Sequence, residues 1–364
     1  MKMKFIVAKR VLLAFIHIGL LQIDSSQASD RIDVVASQLN SIFQCPERVW
    51  PGLKADSFRI LFFQGSPERA WLWTARTGKY EEVLPAEYSM LVSDGAYSFL
   101  ESFRGEKAVA INLDKKAVSS SRSPLISDDA TELAFHEGFH FLFQMKQPWA
   151  ASFVATARNS AVDHVEAVYS RRMLIRLLKT ELLEGRGFGR SAYWLARWRK
   201  TGEESETMFS DVAEGTAQYI ETVGSIIGAR GCGISEAELL SGAKDRAVEM
   251  VEKAVSPEVR KQFFAEYLRS GYQIEGYEIG ILSLLALRER GKLVGVSEFS
   301  MGRDFMKEFT AAQSNTEKMV VYRELETAKA GVRAPVDFLL RDVEPIKDED
   351  DLELLSAIRE AASI

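Results

Sequence analysis

Two histidines four positions apart, with a glutamate directly after the first, are the residues of this sequence that point most directly to chemistry. They are His136, Glu137 and His140. On an α-helix, residues four positions apart lie one turn apart on the same face, so both imidazole rings can bind one metal ion. This pattern is typical of zinc sites in which the glutamate takes a proton from a water that the metal acidifies. The sequence therefore predicts a Zn²⁺ cofactor with His136 and His140 as ligands and Glu137 as general base.

The sequence around the two histidines favours a metal site over a chance spacing. Apolar residues such as Phe135, Phe139 and Leu142 surround them, which predicts a buried helix. Two imidazoles and a carboxylate are costly to bury there without a partner. The chain holds only four histidines, so a chance pair at this spacing beside a glutamate is rare.

A catalytic zinc ion usually has three protein ligands and an open fourth position. Lys146 excludes a third histidine six residues after the second one. The best candidate for the third ligand is Glu214, on a predicted helix. Its small neighbours, such as Gly215, would let that helix approach the first one closely. His164 and Glu166 are rivals for the same role.

The positions of apolar residues and glycines divide the chain into a mixed front part and a helical back part. Short runs rich in aromatic and branched residues predict strands at 58–63, 70–74, 88–92, 97–103 and 108–113. Helical spacing predicts helices at 30–43, 129–145, 161–183, 191–200, 209–227, 236–255, 258–270, 275–289, 300–310 and 350–362. We therefore expect an α+β protein with an N-terminal α/β region at 29–127 and a helical catalytic region at 128–364.

The first 28 residues have the order of a secretory signal peptide. A positively charged start precedes an apolar run at 11–23, and small residues follow at Ser26 and Ala28, which predicts cleavage after Ala28. An uncleaved membrane anchor is the alternative, but the apolar run is shorter than the roughly 20 residues that span a bilayer. The mature protein is thus expected to be periplasmic or secreted, with no stable membrane span.

Composition and cysteine content narrow the class of protein further. The chain is 46% hydrophobic and 27% charged, which is ordinary for a globular protein. Its net charge of -6 argues against a nucleic-acid partner, because such proteins need a basic surface. Cys45 and Cys232 are the two cysteines. In an oxidising compartment they can form a disulfide, and two separate buried thiols are the alternative.

Two motifs together resemble the gluzincin branch of the zincin metallopeptidases. They are His-Glu-x-x-His at 136–140 and Glu-Gly-x-Ala-x-Tyr at 214–219. The resemblance implies that His136, His140 and Glu214 bind zinc and that Glu137 serves as general base and acid. It also implies a zincin-like fold, in which an N-terminal mixed sheet packs on the helix bearing the two histidines and a mainly helical subdomain follows.

The sequence departs from this family at two places. The gap of 74 residues between the second histidine and Glu214 is much longer than in thermolysin-like enzymes, and admits an inserted helical hairpin. Those enzymes also carry an aspartate four residues after the ligand glutamate, where this chain has Gln218. A carboxylate that orients a ligand histidine must then come from elsewhere. Asp211 is a candidate, although it would equally serve as a helix cap.

Attack on an amide needs a group that stabilises the developing oxyanion. A tyrosine or histidine usually assists in gluzincins, and Tyr272 and Tyr277 lie in a glycine-containing stretch that could supply it. We take Tyr277 as the predicted catalytic donor, with a tyrosine of the core as the alternative reading.

The leading function is therefore a zinc metallopeptidase that acts on a peptide or protein substrate. A non-catalytic zincin-like binding or scaffold protein is one alternative. A zinc amidase that acts on cell-wall peptides is another. Glu137 counts against the scaffold, because a structural zinc site needs no base.

Overall fold

The computed structural model describes residues 31–54, 56–65, 69–93, 95–114, 129–146, 164–185, 204–254 and 273–296, together with 188, 190, 191, 194, 195 and 198. The predicted signal peptide and the predicted helices at 258–270, 300–310 and 350–362 lie outside these residues.

Five strands form one mixed sheet. They are β1 (Arg59–Gln64), β2 (Arg69–Thr74), β3 (Lys79–Val83), β4 (Tyr97–Phe103) and β5 (Glu106–Asn112). Their order across the sheet is β3-β2-β1-β5-β4. β1 and β5 are parallel, and the other neighbouring pairs are antiparallel. Four of the five predicted strands are thereby confirmed, with shifts of one or two residues at most ends.

The predicted strand at 88–92 is wrong, and β3 was not predicted. Pro85–Tyr88 is instead a short helix, α3. Tyr88, the last residue of this helix, is fully buried. Its aromatic side chain therefore packs in the core from a helix and not from a strand. The sequence does not predict β3, because only Val83 of its five residues is buried and the strand therefore lacks an alternation of apolar and polar residues.

Both faces of the sheet are covered, which explains the unbroken apolar run of β1. Phe58, Ile60 and Phe62 belong to the large core shared with the helices. Leu61 and Phe63 point to the opposite face and belong to a smaller cluster. Alternate side chains of a strand point to opposite faces, so two covered faces require apolar residues at every position.

Helices make up most of the remaining described residues. They are α1 (31–43), α2 (Pro46–Val49), α3, α4 (Ala130–Gly138), α5 (His164–Glu184), α6 (Glu204–Arg230), α7 (Glu236–Ala254) and α8 (Gln273–Glu289). A π-helical turn, Phe139–Phe143, and a 3₁₀ turn, Gln144–Lys146, continue α4. The predicted helices at 30–43, 129–145, 161–183, 209–227, 236–255 and 275–289 are confirmed over the residues that the structure describes, and the described residues within 191–200 are helical. The protein is thus α+β, as expected.

The helices and one face of the sheet enclose a single large core. α4 lies against β1, where a Cβ added at Gly138 would come within 3.1 Å of the Phe58 ring. The glycine therefore permits the close approach of the helix to the sheet. Among the described residues, no helix combines the length and apolar character that crossing a bilayer requires.

A disulfide between Cys45 and Cys232 joins the segment between α1 and α2 to the connection between α6 and α7. Arg288 of α8 strengthens the same junction, because its Nη2 donates to the carbonyl oxygen of Arg48 at 2.8 Å. The Trp50 indole donates to the carbonyl oxygen of Val294 at 2.9 Å. The N-terminal segment is thus tied to the α6–α7 connection, to α8 and to the residues that follow α8.

α6 and α8 cross with their backbones almost in contact. A Cβ added at Gly280 would lie 2.2 Å from the Cα of Gly215 and 2.8 Å from the carbonyl oxygen of Asp211. A Cβ added at Gly215 would meet the Cα of Gly280 at 2.4 Å. Because backbone atoms cannot give way as a flexible side chain can, both positions require glycine.

We expect Gly280→Ala to lower the free energy of unfolding by about 1–3 kcal/mol, since the added methyl group forces the two helices apart. Urea denaturation measures the change. Gly242→Ala on α7 is the matched control, because its nearest neighbour, Ile226, lies at an ordinary 3.4 Å. That variant should gain about 0.5–1 kcal/mol from helix propensity. Equal stability of Gly280→Ala and the parent would contradict the proposed close crossing.

We expect the Cys45→Ser, Cys232→Ser double variant to be less stable than the parent by about 2–5 kcal/mol, because the bond closes a long loop. The two cysteines are 187 residues apart in sequence. Urea denaturation with and without reductant tests this. Reductant should destabilise the parent and leave the double variant unchanged, and a parent insensitive to reductant would argue against the bond.

Candidate metal centre

The helix that carries the two histidines begins at a strong N-cap. The Asp129 carboxylate accepts hydrogen bonds from the backbone N–H groups of Thr131 (2.7 Å) and Glu132 (3.2 Å). This satisfies two donors that the first helical turn leaves without partners. Because Gly138 lies against the sheet, the buried His136 and Glu137 are placed on α4 within the protein interior.

His140 lies in the π-helical turn that continues α4. Such turns are rare and frequently occur at functional sites. Aromatic packing supports the turn, since Phe139 stacks on Trp50 at 6.4 Å and on Phe143 at 5.5 Å between ring centroids. The irregular turn therefore has a packed environment that holds the second histidine.

His136, His140 and Glu214 converge. The two Nε2 atoms of the histidines lie 3.1 Å apart. Oε2 of Glu214 lies 3.3 Å from Nε2 of His140 and 3.5 Å from Nε2 of His136. One ligand atom from each residue lies within 4.8 Å of the other two. Within the described part of the chain, these three residues form the group that could hold a metal ion.

The other ring nitrogen of each histidine is held by a separate partner. Nδ1 of His136 lies 2.8 Å from Oε2 of Glu221, and Nδ1 of His140 lies 2.6 Å from Oε1 of Gln144. A carboxylate only accepts, so Nδ1 of His136 donates to Glu221. The Nδ1–H group of His136 thus points away from the converging group, and its Nε2 points toward it.

The charges of the site favour a cation. Burial lowers the pKa of His136, but hydrogen bonds to Glu214 and Glu221 outweigh it and raise that pKa to about 10. Burial raises the pKa of Glu214, yet the two histidines more than compensate and hold it well below its ordinary value. Burial also raises the pKa of Glu137, which the nearby histidines only partly offset. Three carboxylates thus face two imidazoles in a largely dry environment.

Two tyrosines contact this group. The Tyr277 ring of α8 stacks on that of His136, with centroids 6.0 Å apart, and its hydroxyl is hydrogen-bonded to Glu214. Burial and the negative charge of Glu214 raise the pKa of Tyr277 well above its ordinary value, so it stays a donor. Tyr97 of β4 hydrogen-bonds Glu137. The predicted Tyr277 therefore lies at the site, and Tyr272 lies outside the described residues.

Asp211 neither orients a ligand histidine nor caps α6, which begins seven residues earlier at Glu204. Its carboxylate forms two hydrogen bonds, of 2.8 and 2.9 Å, with the Arg171 guanidinium of α5, and both side chains are buried. Glu221 orients His136 instead. Glu221 lies seven residues after Glu214, and therefore two turns along the same face of α6, so this spacing was the signal in the sequence.

The expected use of Gly215 is also corrected. Gly215 lies against α8, whereas the close approach of α6 to α4 occurs at Gly224, where an added Cβ would lie 2.3 Å from the Phe135 ring. The rival ligands lie at the start of α5, where His164 is the first residue and Glu166 is the third. Their side chains lie outside the described part of the structure.

Comparison of the chain with family models, with curated proteins and with solved structures finds no match.

We expect Glu221→Gln to lower the pKa of His136 from about 10 toward the ordinary 6.5 in chelator-treated protein. The change removes the negative charge that stabilises the imidazolium ion. Histidine NMR signals followed against pH measure it. Glu249→Gln on the exposed side of α7 is the control and should leave the titration unchanged. An unaltered His136 titration in Glu221→Gln would contradict the pairing.

Proposed function

We propose that the protein is a zinc-dependent hydrolase, most simply a metallopeptidase. The observation that carries the proposal is the convergence of two histidine Nε2 atoms and one Glu214 oxygen. Glu137 follows His136 in sequence and interacts electrostatically with all three residues. Nitrogen and carboxylate oxygen atoms are common zinc ligands, and two histidines with one glutamate form a known catalytic set.

The residues present fit such an ion in two further ways. Ligand histidines usually donate their other N–H to a carboxylate or a carbonyl group, as His136 does to Glu221. The high pKa of His136 also means that the surrounding carboxylates favour positive charge at this point.

The site is open on one side. The side chains of His140 and Glu214 are 16% and 25% exposed, whereas that of His136 is 1% exposed. A structural zinc site is normally closed by a fourth protein ligand, and a catalytic one keeps a position for water or substrate. Partial exposure of two of the three residues supports the catalytic reading over a scaffold.

When bound, zinc would polarise a substrate carbonyl group and acidify a water molecule. Glu137 would serve as general base toward the attacking water and as general acid toward the leaving amine. The pKa of its buried carboxyl group is raised, which favours both the uptake of a proton and its later release to the leaving amine. The Tyr277 hydroxyl, which stays protonated, can donate to the carbonyl oxygen as negative charge develops.

A zincin-like fold is part of the proposal. A mixed sheet that packs on the His-Glu-x-x-His helix through Gly138, followed by helices that supply the third group, supports it. We also propose export to the periplasm or beyond. The Cys45–Cys232 disulfide supports this, because such bonds persist mainly in oxidising compartments.

Glu137→Gln is expected to retain one zinc ion per chain and to lose hydrolysis by at least about 100-fold, since an amide cannot accept the proton. Metal analysis and incubation with a mixed peptide library, followed by mass spectrometry, measure the two properties. Glu249→Gln serves as the control and should cleave like the parent.

Three outcomes separate the candidate functions. Undiminished peptide hydrolysis by Glu137→Gln would show that the mechanism is wrong. A parent that binds zinc and cleaves cell-wall peptides alone would indicate an amidase. A parent without zinc, and with a His136→Ala variant as stable as itself, would favour the scaffold.

A further inference from the structure

Gln144 is a buried polar residue four positions after His140, at the start of the 3₁₀ turn that follows the π-helical turn. A buried side-chain amide needs partners for both its donor and its acceptor end. Those partners determine which way the amide points, and hence what it presents to the histidine.

The donor end faces α6. Nε2 of Gln144 donates to the carbonyl oxygen of Ala213 at 3.0 Å and to Oγ1 of Thr216 at 2.9 Å. The Thr216 hydroxyl in turn donates to the carbonyl oxygen of Ala213 at 3.2 Å, which leaves its oxygen to accept. Both partners thus act as acceptors, so only the NH₂ end of the amide can face them.

The acceptor end must therefore face the site. Oε1 of Gln144 lies 2.6 Å from Nδ1 of His140. An amide oxygen only accepts, so Nδ1 of His140 carries the hydrogen. In the neutral ring, Nε2 then presents its lone pair toward Nε2 of His136 and Oε2 of Glu214.

The same amide connects His140 to the turn of α6 that carries Glu214. Ala213 precedes that glutamate by one residue, and Thr216 follows it by two. His136 receives its orientation from α6 directly, through Glu221. Both histidines of α4 and its continuation are thus oriented by α6, one through a carboxylate and one through Gln144.

We propose that Gln144 is a positioning residue that sets the tautomer of His140 and fixes its ring relative to Glu214. This inference rests on the proposed zinc site and identifies a residue that neither motif contains. Gln144 is proposed to act through His140, whose Nδ1 it contacts, and not as a ligand.

Gln144→Met is expected to weaken zinc binding by about 10–100-fold, because a partner that orients a ligand histidine is lost. Competition with a chromophoric chelator measures the affinity on the full-length chain. The visible bands of the cobalt-substituted protein should change as well, since they report the arrangement of the ligands. Gln144→Glu keeps an acceptor facing Nδ1 and should bind zinc at least about ten-fold more tightly than Gln144→Met.

Gln38→Met is the matched control. Oε1 of Gln38 accepts from the Thr131 hydroxyl at 2.5 Å, at the opposite end of α4. The substitution thus removes a glutamine contact to the same helix far from His140. Its zinc affinity and cobalt bands should match those of the parent.

The outcomes distinguish this inference from the proposed function. A parent that binds no zinc would overturn the zinc site itself. A parent that binds zinc, with Gln144→Met binding it equally well or Gln38→Met weakened to the same degree, would overturn only the role of Gln144. Should Gln144→Met not fold, Gln144→Ala takes its place: zinc binding weakened at least about ten-fold supports the role, and parent-like zinc binding overturns it.

Discussion

Phe135 of α4 packs against Gly224 of α6 so closely that an added Cβ would lie 2.3 Å from its ring. This contact sets the distance between the helix with the histidines and the helix with the glutamates. At that distance Glu221 reaches Nδ1 of His136 and Glu214 reaches the Nε2 atoms. A larger side chain at position 224 would separate the two halves of the site.

α6 is held equally tightly on its other side. Its crossing with α8 at Gly215 and Gly280 brings Tyr277 over the His136 ring. The buried pair of Arg171 and Asp211 fixes the turn just before Glu214 to α5. Buried ion pairs add little net stability but are costly to break, so they suit a role in fixing a unique arrangement. α6 is therefore the helix around which the site is assembled.

The site concentrates charge where a protein core normally excludes it. Glu137, Glu214 and Glu221 lie beside two histidines, and burial together with these charged neighbours shifts the pKa of every one of these groups. The high pKa of His136 shows how strongly this arrangement attracts positive charge. Several neighbouring groups with shifted pKa values are typical of functional sites. Their burial is hard to explain as a source of stability.

The sequence by itself determined the α+β class, most helices and the four-residue spacing of His136 and His140, because these depend on contacts within a few residues. It missed β3, whose edge position leaves little apolar signal. Only the tertiary structure decided that Glu221 and Gln144 orient the histidines, that Asp211 pairs with another helix, and that the two cysteines bond. Those partners lie up to 187 residues apart, and the packing of α4, α6 and α8 brings them together, which no local pattern records.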